Sequence, residues 1–594
     1  MCAYGRTLAE PRLSPTGDEV AFVATSMGRA QLVVVPVAGG AERVVTSDPP
    51  PRPAAAYGGG AFDWFPDGRS LVYAAVDGAL WVVPAAGGAP RALPTRAPAG
   101  SPAVSPDGRW VAHSVDGADV AVVAADGRGW PMRLSTGADF CFDPAWMPDG
   151  AAVVWHEWDV PDMPWDGGRL VRAAADGGSA PVVVAGGERV QVGQPRPGPG
   201  GLAHLSDASG WLNLWLDDRH LVDEPAEHGD PTWGPGQRSL AWSPDGTRIA
   251  FTRNEDGFGR LCVVEVATGA VQDVAKAVHG GLSWVGDHLV AIRSGARTPT
   301  QVVSYDVTTW TRTTLARGPL AGFEDAGLVE PETVTWSGAD GEPVHGRCYR
   351  PKGVGGRSDG AGGPPMLVWI HGGPTGQWPV TFNARIAYFV ARGWVVLVPD
   401  HRGSTGFGRA YTQAMRGRWG DLDVTDVAAG VRHAAAQGWC DPQRVACMGG
   451  SAGGFTVLNL LARHPEMWAA GVDLFGVADL FDLDETTHRF EAHYLHSLVG
   501  ALPEAADAYR DRSPVHAAGG IVAPLLILQG SEDPVVPPAQ SQAIADRLRA
   551  AGRTVEHHLY PGEGHGWNRP EVVVDELERI ESFLRRHVLR WRAP

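Results

Sequence analysis

A ring of small β-sheets followed by a parallel α/β domain is the fold class this sequence predicts, and three observations predict it. One turn phrase recurs through the first half at a spacing of about 40 to 50 residues, the period of propeller blades. From residue 326 on, short apolar runs alternate with helix-length segments, the pattern of a parallel sheet covered by helices. Between one such run and a helix-like stretch lies Gly449-Gly450-Ser451-Ala452-Gly453-Gly454, a serine on a sharp turn between glycines.

The recurring phrase is a Pro-Asp-Gly turn or a close variant, preceded by aromatic or apolar residues and followed by a β-type run. Its prolines are Pro15, Pro66, Pro106, Pro148 and Pro244. Proline presets φ and glycine accepts a positive φ, so the phrase encodes a tight turn between strands such as 32–37 and 248–253. Degenerate copies at Ser206-Asp207-Ala208-Ser209-Gly210 and Trp284-Val285-Gly286-Asp287 bring the number of units to seven. The expectation is therefore an N-terminal seven-bladed β-propeller over residues 1–325. Two stacked β-sandwiches are the alternative, and the uniformity of the repeat favours the ring.

The second part, residues 326–594, reads as a C-terminal α/β-hydrolase domain. A hairpin-like segment runs through 344–351, a Gly-rich surface loop covers 353–363, and strands are expected at 366–370, 394–399, 445–448, 524–529 and 555–560. Helices are expected at 424–437, 455–463 and 540–551. Glycines on both sides of Ser451 permit a strained strand-to-helix turn that exposes a nucleophilic hydroxyl.

Hydrolases of this fold present serine, then acid, then histidine along the chain. Gly530-Ser531-Glu532-Asp533-Pro534 follows the strand at 524–529, and Gly562-Glu563-Gly564-His565-Gly566 follows the strand at 555–560. Asp533 is the candidate that orients an imidazole, with Glu532 next to it as the other carboxylate, and His565 is the candidate general base. His557 and His558 fall within the strand, where a histidine is more often structural. Two backbone donors are also needed for the oxyanion of a tetrahedral intermediate. The N–H of Ala452 is one candidate; Gly373, in His371-Gly372-Gly373-Pro374 after the strand at 366–370, is the other. His371 reads as structural.

The 594-residue chain is too long for one core, and its 44% hydrophobic content with 23 Trp supplies more than one. A formal charge of −17 and the lack of any basic cluster exclude nucleic acid and anionic membrane surfaces as expected partners. No apolar run reaches the length of a membrane span and the N-terminal residues carry no leader pattern, so the expectation is a soluble, cytoplasmic protein. Cys2, Cys141, Cys262, Cys348, Cys440 and Cys447 are scattered and read as free thiols, with Cys447 buried before the nucleophile. No metal or cofactor is expected.

Four motifs, His371–Pro374, Asp400-His401-Arg402-Gly403-Ser404-Thr405-Gly406-Phe407-Gly408, Gly449–Gly454 and Gly564-His565-Gly566, give the chain a resemblance to the prolyl oligopeptidase family of serine peptidases. The segments Trp155–Asp159, Met163–Asp166, Ser206–Trp211 and Phe490–Leu495 make it similar to the branch with acylaminoacyl peptidases and bacterial aminopeptidases of puromycin hydrolase type. The resemblance spans nearly the whole chain. It implies Ser451 as nucleophile, His565 as base and then acid, and Asp533 rather than Glu532 as the orienting carboxylate. It also implies Ala452 and Gly373 as oxyanion donors, and a propeller that sieves substrates by size. Some acylaminoacyl peptidases have an arginine two residues after the acid; here that position is Val535, which argues against a preference for blocked N-termini.

An exopeptidase that needs a free amino terminus must hold an ammonium group with a carboxylate. Glu157, Asp159, Asp207 and Glu491 are the candidates, with Glu491 first and Glu157 second. Phe475, Val477, Tyr494 and Trp567 form an apolar and aromatic set that would line the pocket for the residue before the cleaved bond. The expected activity is hydrolysis of short peptides or small aminoacyl amides near the N-terminus. Acylaminoacyl or dipeptidyl peptidase activity, a carboxylesterase on the same scaffold, and a binding propeller with an inactive hydrolase domain are the alternatives.

Overall fold

The computed structural model describes residues 5–52, 59–95, 98–319, 327–352 and 363–590. They fall into two compact units, one of Gly5–Pro319 with Pro379–Thr381, the other of Leu320–Trp378 with Phe382–Pro594. The expected boundary at 325/326 lies outside the described residues, as do most of the loop expected at 353–363 and Cys2. The five described cysteines are free and buried.

The first unit holds seven four-stranded antiparallel sheets, each a meander of consecutive strands, over residues 7–44, 62–92, 99–133, 140–187, 192–220, 240–276 and 278–317. Seven apolar clusters fill the seven interfaces between adjacent sheets. In the last of these, Leu8, Phe22 and Val33 of the first sheet pack with Val290, Val302 and Leu315 of the seventh. The seven-bladed propeller is thus closed by side-chain packing between its first and last blades, and among the described residues no strand is exchanged between them.

The repeated phrase is the turn between the first and second strands of a blade. Gly68, Gly108, Gly150 and Gly246 have φ near +70°, and Asp67, Asp107, Asp149 and Asp245 each accept a backbone N–H two residues on. Trp284–Asp287 occupies the same place in blade seven, between Val278–Val285 and His288–Gly295. The expected copy at Ser206–Gly210 does not. It joins the second and third strands of blade five, whose first turn is instead the two-residue loop Pro199-Gly200 between the paired Gly198 and Gly201. A two-residue turn has no place for the aspartate that makes the phrase recognisable.

The second unit is built on one eight-stranded sheet in the order Glu332–Ser337, Pro343–Tyr349, Val395–Asp400, Met366–Ile370, Val445–Gly450, Ala470–Leu474, Leu525–Gly530, Val555–Tyr560. The first two strands are antiparallel and the remaining six run parallel, the α/β-hydrolase arrangement. Successive residues of a parallel strand point to opposite faces, so a strand covered on both sides must be apolar throughout. Met366, Val368 and Ile370 enter one core with the helices Leu422–Ala436 and Ala452–Arg463. Leu367 and Trp369 enter the other with Ala384–Val390 and Pro570–His587. Among the described residues no helix is long and apolar enough to cross a membrane.

Candidate active site

Parallel strands end on the same edge of a sheet, and ligands of open α/β sheets bind beyond those carboxyl ends. Ser451 directly follows Val445–Gly450, Asp533 follows Leu525–Gly530 by three residues, and His565 follows Val555–Tyr560 by five. The loop His371–Pro374 leaves the end of Met366–Ile370.

Ser451 has φ +57° and ψ −125°, a conformation costly for a residue with a Cβ, and it immediately precedes the helix Ala452–Arg463. The turn is held from both sides: the Ser451 N–H donates to Leu474 O at 3.0 Å and Ser451 O accepts from Phe455 N–H at 3.1 Å. Glycine is required around it by space. A Cβ on Gly453 would stand 2.4 Å from Ile370 O, so the helix can cross the neighbouring strand only where no side chain intervenes. As the first residue of the helix, Ala452 has an N–H with no carbonyl one turn back to accept it.

His565 and Asp533 are in direct contact. His565 Nδ1 lies 2.7 Å from Asp533 Oδ2, and the carboxylate is buried while the imidazole is partly exposed. The other oxygen, Oδ1, accepts the N–H groups of Val535 at 2.9 Å and Val536 at 3.0 Å. Gln529 completes the set, donating from Nε2 to Asp533 Oδ2 at 3.2 Å. Four donors thus fix the acid, whereas neighbouring Glu532 is exposed to solvent. With Nδ1–H turned to the carboxylate, Nε2 is the nitrogen left to accept a proton. The loop that carries His565 crosses the end of the acid's strand so closely that a Cβ on Gly530 would stand 2.2 Å from Gly564 O.

Phe475 links these parts. It has φ +44°, its ring centroid is 4.6 Å from that of His565 and 5.3 Å from that of Trp567, and a Cβ on Gly450 would touch its Cε2 at 3.0 Å. Tyr494 is buried, and its hydroxyl donates to Thr375 Oγ1 at 2.6 Å and accepts from Thr375 N–H at 3.1 Å, tying its helix to the Gly372-Gly373 loop. Val477 is buried two residues beyond Phe475.

Gly373 has φ +124° and sits in a loop anchored by His371. His371 Nδ1 donates to Gly372 O at 2.8 Å and Nε2 accepts from Ser404 Oγ at 2.7 Å. Burial first, and then the neighbouring His401, lower its pKa to about 3, so it is a neutral strut. The Asp400–Gly408 motif is the scaffold of this loop: Ser404 holds His371, while Asp400 makes a two-bonded pair with Arg347 at 2.7 Å and accepts from Gln377 at 3.2 Å.

The ammonium-anchor candidates fall in different units, Glu491 in the one with the eight-stranded sheet and Glu157, Asp159 and Asp207 in the propeller. Glu491 Oε1 is 3.7 Å from His488 Nε2, and burial first, then His565, hold the His488 imidazole below its ordinary range. Glu491 therefore pairs with a histidine that senses the charge of His565. Glu157 is buried in propeller blade four, where Oε2 accepts from Trp155 Nε1 at 2.7 Å and Oε1 from Arg169 Nε at 2.9 Å. Asp159 pairs with the same Arg169 at 2.8 Å, and Asp207 accepts the Gln191 N–H at 2.7 Å. Sequence reasoning missed Gln529 and the ring contact of Phe475 with His565. The only trace of the first is an amide interrupting an otherwise apolar strand, and the second depends on the backbone bend at Phe475.

Comparison with known proteins bears on the family of the chain. A family model described as the prolyl oligopeptidase family matches residues 380–590. A solved structure of a puromycin-hydrolysing peptidase of Mycobacterium tuberculosis superposes with a TM-score of 0.89 at 31% identity, covering 98% of this chain and 94% of that one. The dipeptidyl aminopeptidase BIII of Pseudoxanthomonas mexicana is 34% identical over 300 residues, 49% of this chain. Dipeptidyl peptidase family member 6 of Caenorhabditis elegans is 35% identical over 225 residues, 37% of this chain. The matched segments span only 43% and 30% of those two relatives' own lengths.

Proposed function

Because this chain belongs to the prolyl oligopeptidase family of serine peptidases, we propose that it is a serine exopeptidase that releases residues from the N-terminus of short peptides or cleaves small aminoacyl amides. The observation that carries this reading is the 2.7 Å contact of His565 with a fully constrained Asp533, on the same sheet edge as a serine held at φ +57°.

In the proposed mechanism Ser451 Oγ attacks the scissile carbonyl while His565 Nε2 takes its proton. Asp533 holds the imidazole in the required tautomer and stabilises the imidazolium that forms. The oxyanion is stabilised by the N–H groups of Ala452 and Gly373, donors worth a few kcal/mol each in the transition state. His565 then gives the proton to the leaving amine. Water, activated by the same imidazole, hydrolyses the acyl-enzyme.

The free amino terminus is taken by Glu491, the carboxylate candidate within electrostatic reach of His565 through His488. The name of the dipeptidyl aminopeptidase relative supports a free-amine substrate, as does Val535 in place of an arginine. Phe475, Trp567, Val477 and Tyr494 favour a large apolar or aromatic side chain before the cleaved bond. On the same reading the propeller restricts access to short substrates.

Profiling free, acetylated and dipeptidyl 4-nitroanilides, matched esters and puromycin with the wild type and Ser451→Ala tests the reading. Hydrolysis of free aminoacyl or dipeptidyl anilides, lost in the variant, is expected. Preference for acetylated anilides, or turnover of esters alone, refutes the exopeptidase reading. Failure of a fluorophosphonate to label Ser451 refutes a serine mechanism altogether.

A further inference from the structure

Asp473 stands in the middle of Ala470–Leu474, in register with Gly449 on one side and Ile527 on the other. It is fully buried, and neither carboxyl oxygen has a hydrogen bond of normal geometry, although the Gly476 N–H faces the group and favours its ionised form. Its Oδ1 fills the space that side chains would otherwise take on two other segments. A Cβ on Gly454, in the first turn of the helix after Ser451, would stand 2.3 Å from it, and one on Gly476 would stand 2.2 Å away. Burying an unpartnered carboxyl is destabilising, and such a cost persists where the surrounding geometry depends on it.

We propose that Asp473 is a positioning residue for the nucleophile turn, a wedge that fixes the gap between the first turn of the Ser451 helix and the Phe475-Gly476 segment that backs His565. The inference rests on Ser451 being the nucleophile. Burial raises the Asp473 pKa to about 7, and among the described residues no charged side chain acts on it appreciably, neither from the flanking strands nor from the helix or the loop. Burial thus favours the neutral carboxyl, and the anion gains ground as the pH rises through neutrality. As an anion it lies by the helix end whose first N–H groups must stabilise the oxyanion, and two negative charges then compete for one positive helix end.

The experiment follows kcat, KM and the second-order rate of fluorophosphonate labelling of Ser451 between pH 6 and 9, in the wild type, Asp473→Asn and Asp473→Leu. The wild type is expected to lose rate through an alkaline limb near pH 7, so that the ratio of wild type to Asp473→Asn falls at least tenfold across the range. The effect should appear in kcat and in labelling, with KM changed less than twofold. Asp473→Leu, also unable to ionise, should lack the alkaline limb, as Asp473→Asn does. A ratio constant within twofold, a change confined to KM, or a wild-type labelling profile without the alkaline limb overturns the proposal, the last requiring no variant to fold. If Ser451 labels normally and the profile is flat, the wedge alone is refuted. If nothing labels and no substrate turns over, both the wedge and the serine mechanism fall.

Discussion

His565 reaches Asp533 through a single contact, Nδ1 to Oδ2 at 2.7 Å, while the other carboxylate oxygen is locked by the Val535 and Val536 N–H groups. The ring's orientation is thus set by a carboxylate that cannot turn away. Asp533→Asn is expected to present an N–H where the imidazole needs an acceptor, trapping the wrong tautomer and lowering kcat about 10³- to 10⁴-fold. Glu532→Gln, at an exposed position next to it, should stay within threefold of wild type. Steady-state kinetics of both variants on one anilide decides between the two carboxylates, and the reverse ranking would remove Asp533 from the role.

Gly530 lets the His565 loop cross the end of the acid's strand, since an added Cβ would meet Gly564 O at 2.2 Å and Glu563 O at 2.5 Å. Gly530→Ala must push that loop outward. Overpacking of this kind costs about 1–3 kcal/mol, and a displacement near 1 Å at a reacting group costs about 10²-fold in rate. Gly519→Ala, with no atom within 4 Å, is the control expected to change neither. Thermal unfolding together with kcat reads both effects.

Glu491→Gln is expected to raise KM for free aminoacyl anilides about tenfold or more, the scale of a lost charge-assisted hydrogen bond, while sparing a neutral ester. Glu157→Gln is expected to act differently, because its oxygens already serve Trp155 and Arg169. It should lower the stability of the propeller without a selective change in KM. Equal KM values for wild type and Glu491→Gln on the free anilide would rule Glu491 out.

Acid should weaken the propeller in a definite window. Burial, the largest influence on each, lowers the pKa of His113, His204 and His279 to about 4 and that of His156 to about 3. An unfolded chain takes up protons near pH 6.5, whereas the native side chains stay neutral, so stability is complete above pH 6.5 and is lost as pH falls towards 4. Each histidine contributes at most about 3 kcal/mol to that loss. Replacing His156, whose ring nitrogens have no hydrogen-bond partner, by Gln should flatten part of the decline in melting temperature between pH 6.5 and 4. An unchanged slope would show that other groups set the acid limit.

Periodicity made the two-part architecture legible. The Pro-Asp-Gly turns carry their own φ requirements, and alternating apolar runs can bury both faces of a parallel strand, so both signals are local. Local signals also fixed the strand ends that carry Ser451, Asp533 and His565. They failed in blade five, where Pro199-Gly200 does the work of a longer turn and the Ser206–Gly210 phrase lies one strand further on. The bond of Gln529 to the acid, the contact of Phe475 with the imidazole and the wedging of Asp473 against Gly454 gave no usable signal, because each depends on how segments meet in space.

By itself the amino-acid order determined which segments become strands, helices and turns, and in what succession the chemically capable side chains leave the sheet, because those properties depend on backbone preference and on the period of burial. Only the tertiary structure decided which carboxylate faces His565, that His371 is a neutral strut, and that Asp473 is enclosed without a partner. Those outcomes depend on burial and on distances of a few ångströms between segments far apart in the chain, which no local pattern encodes.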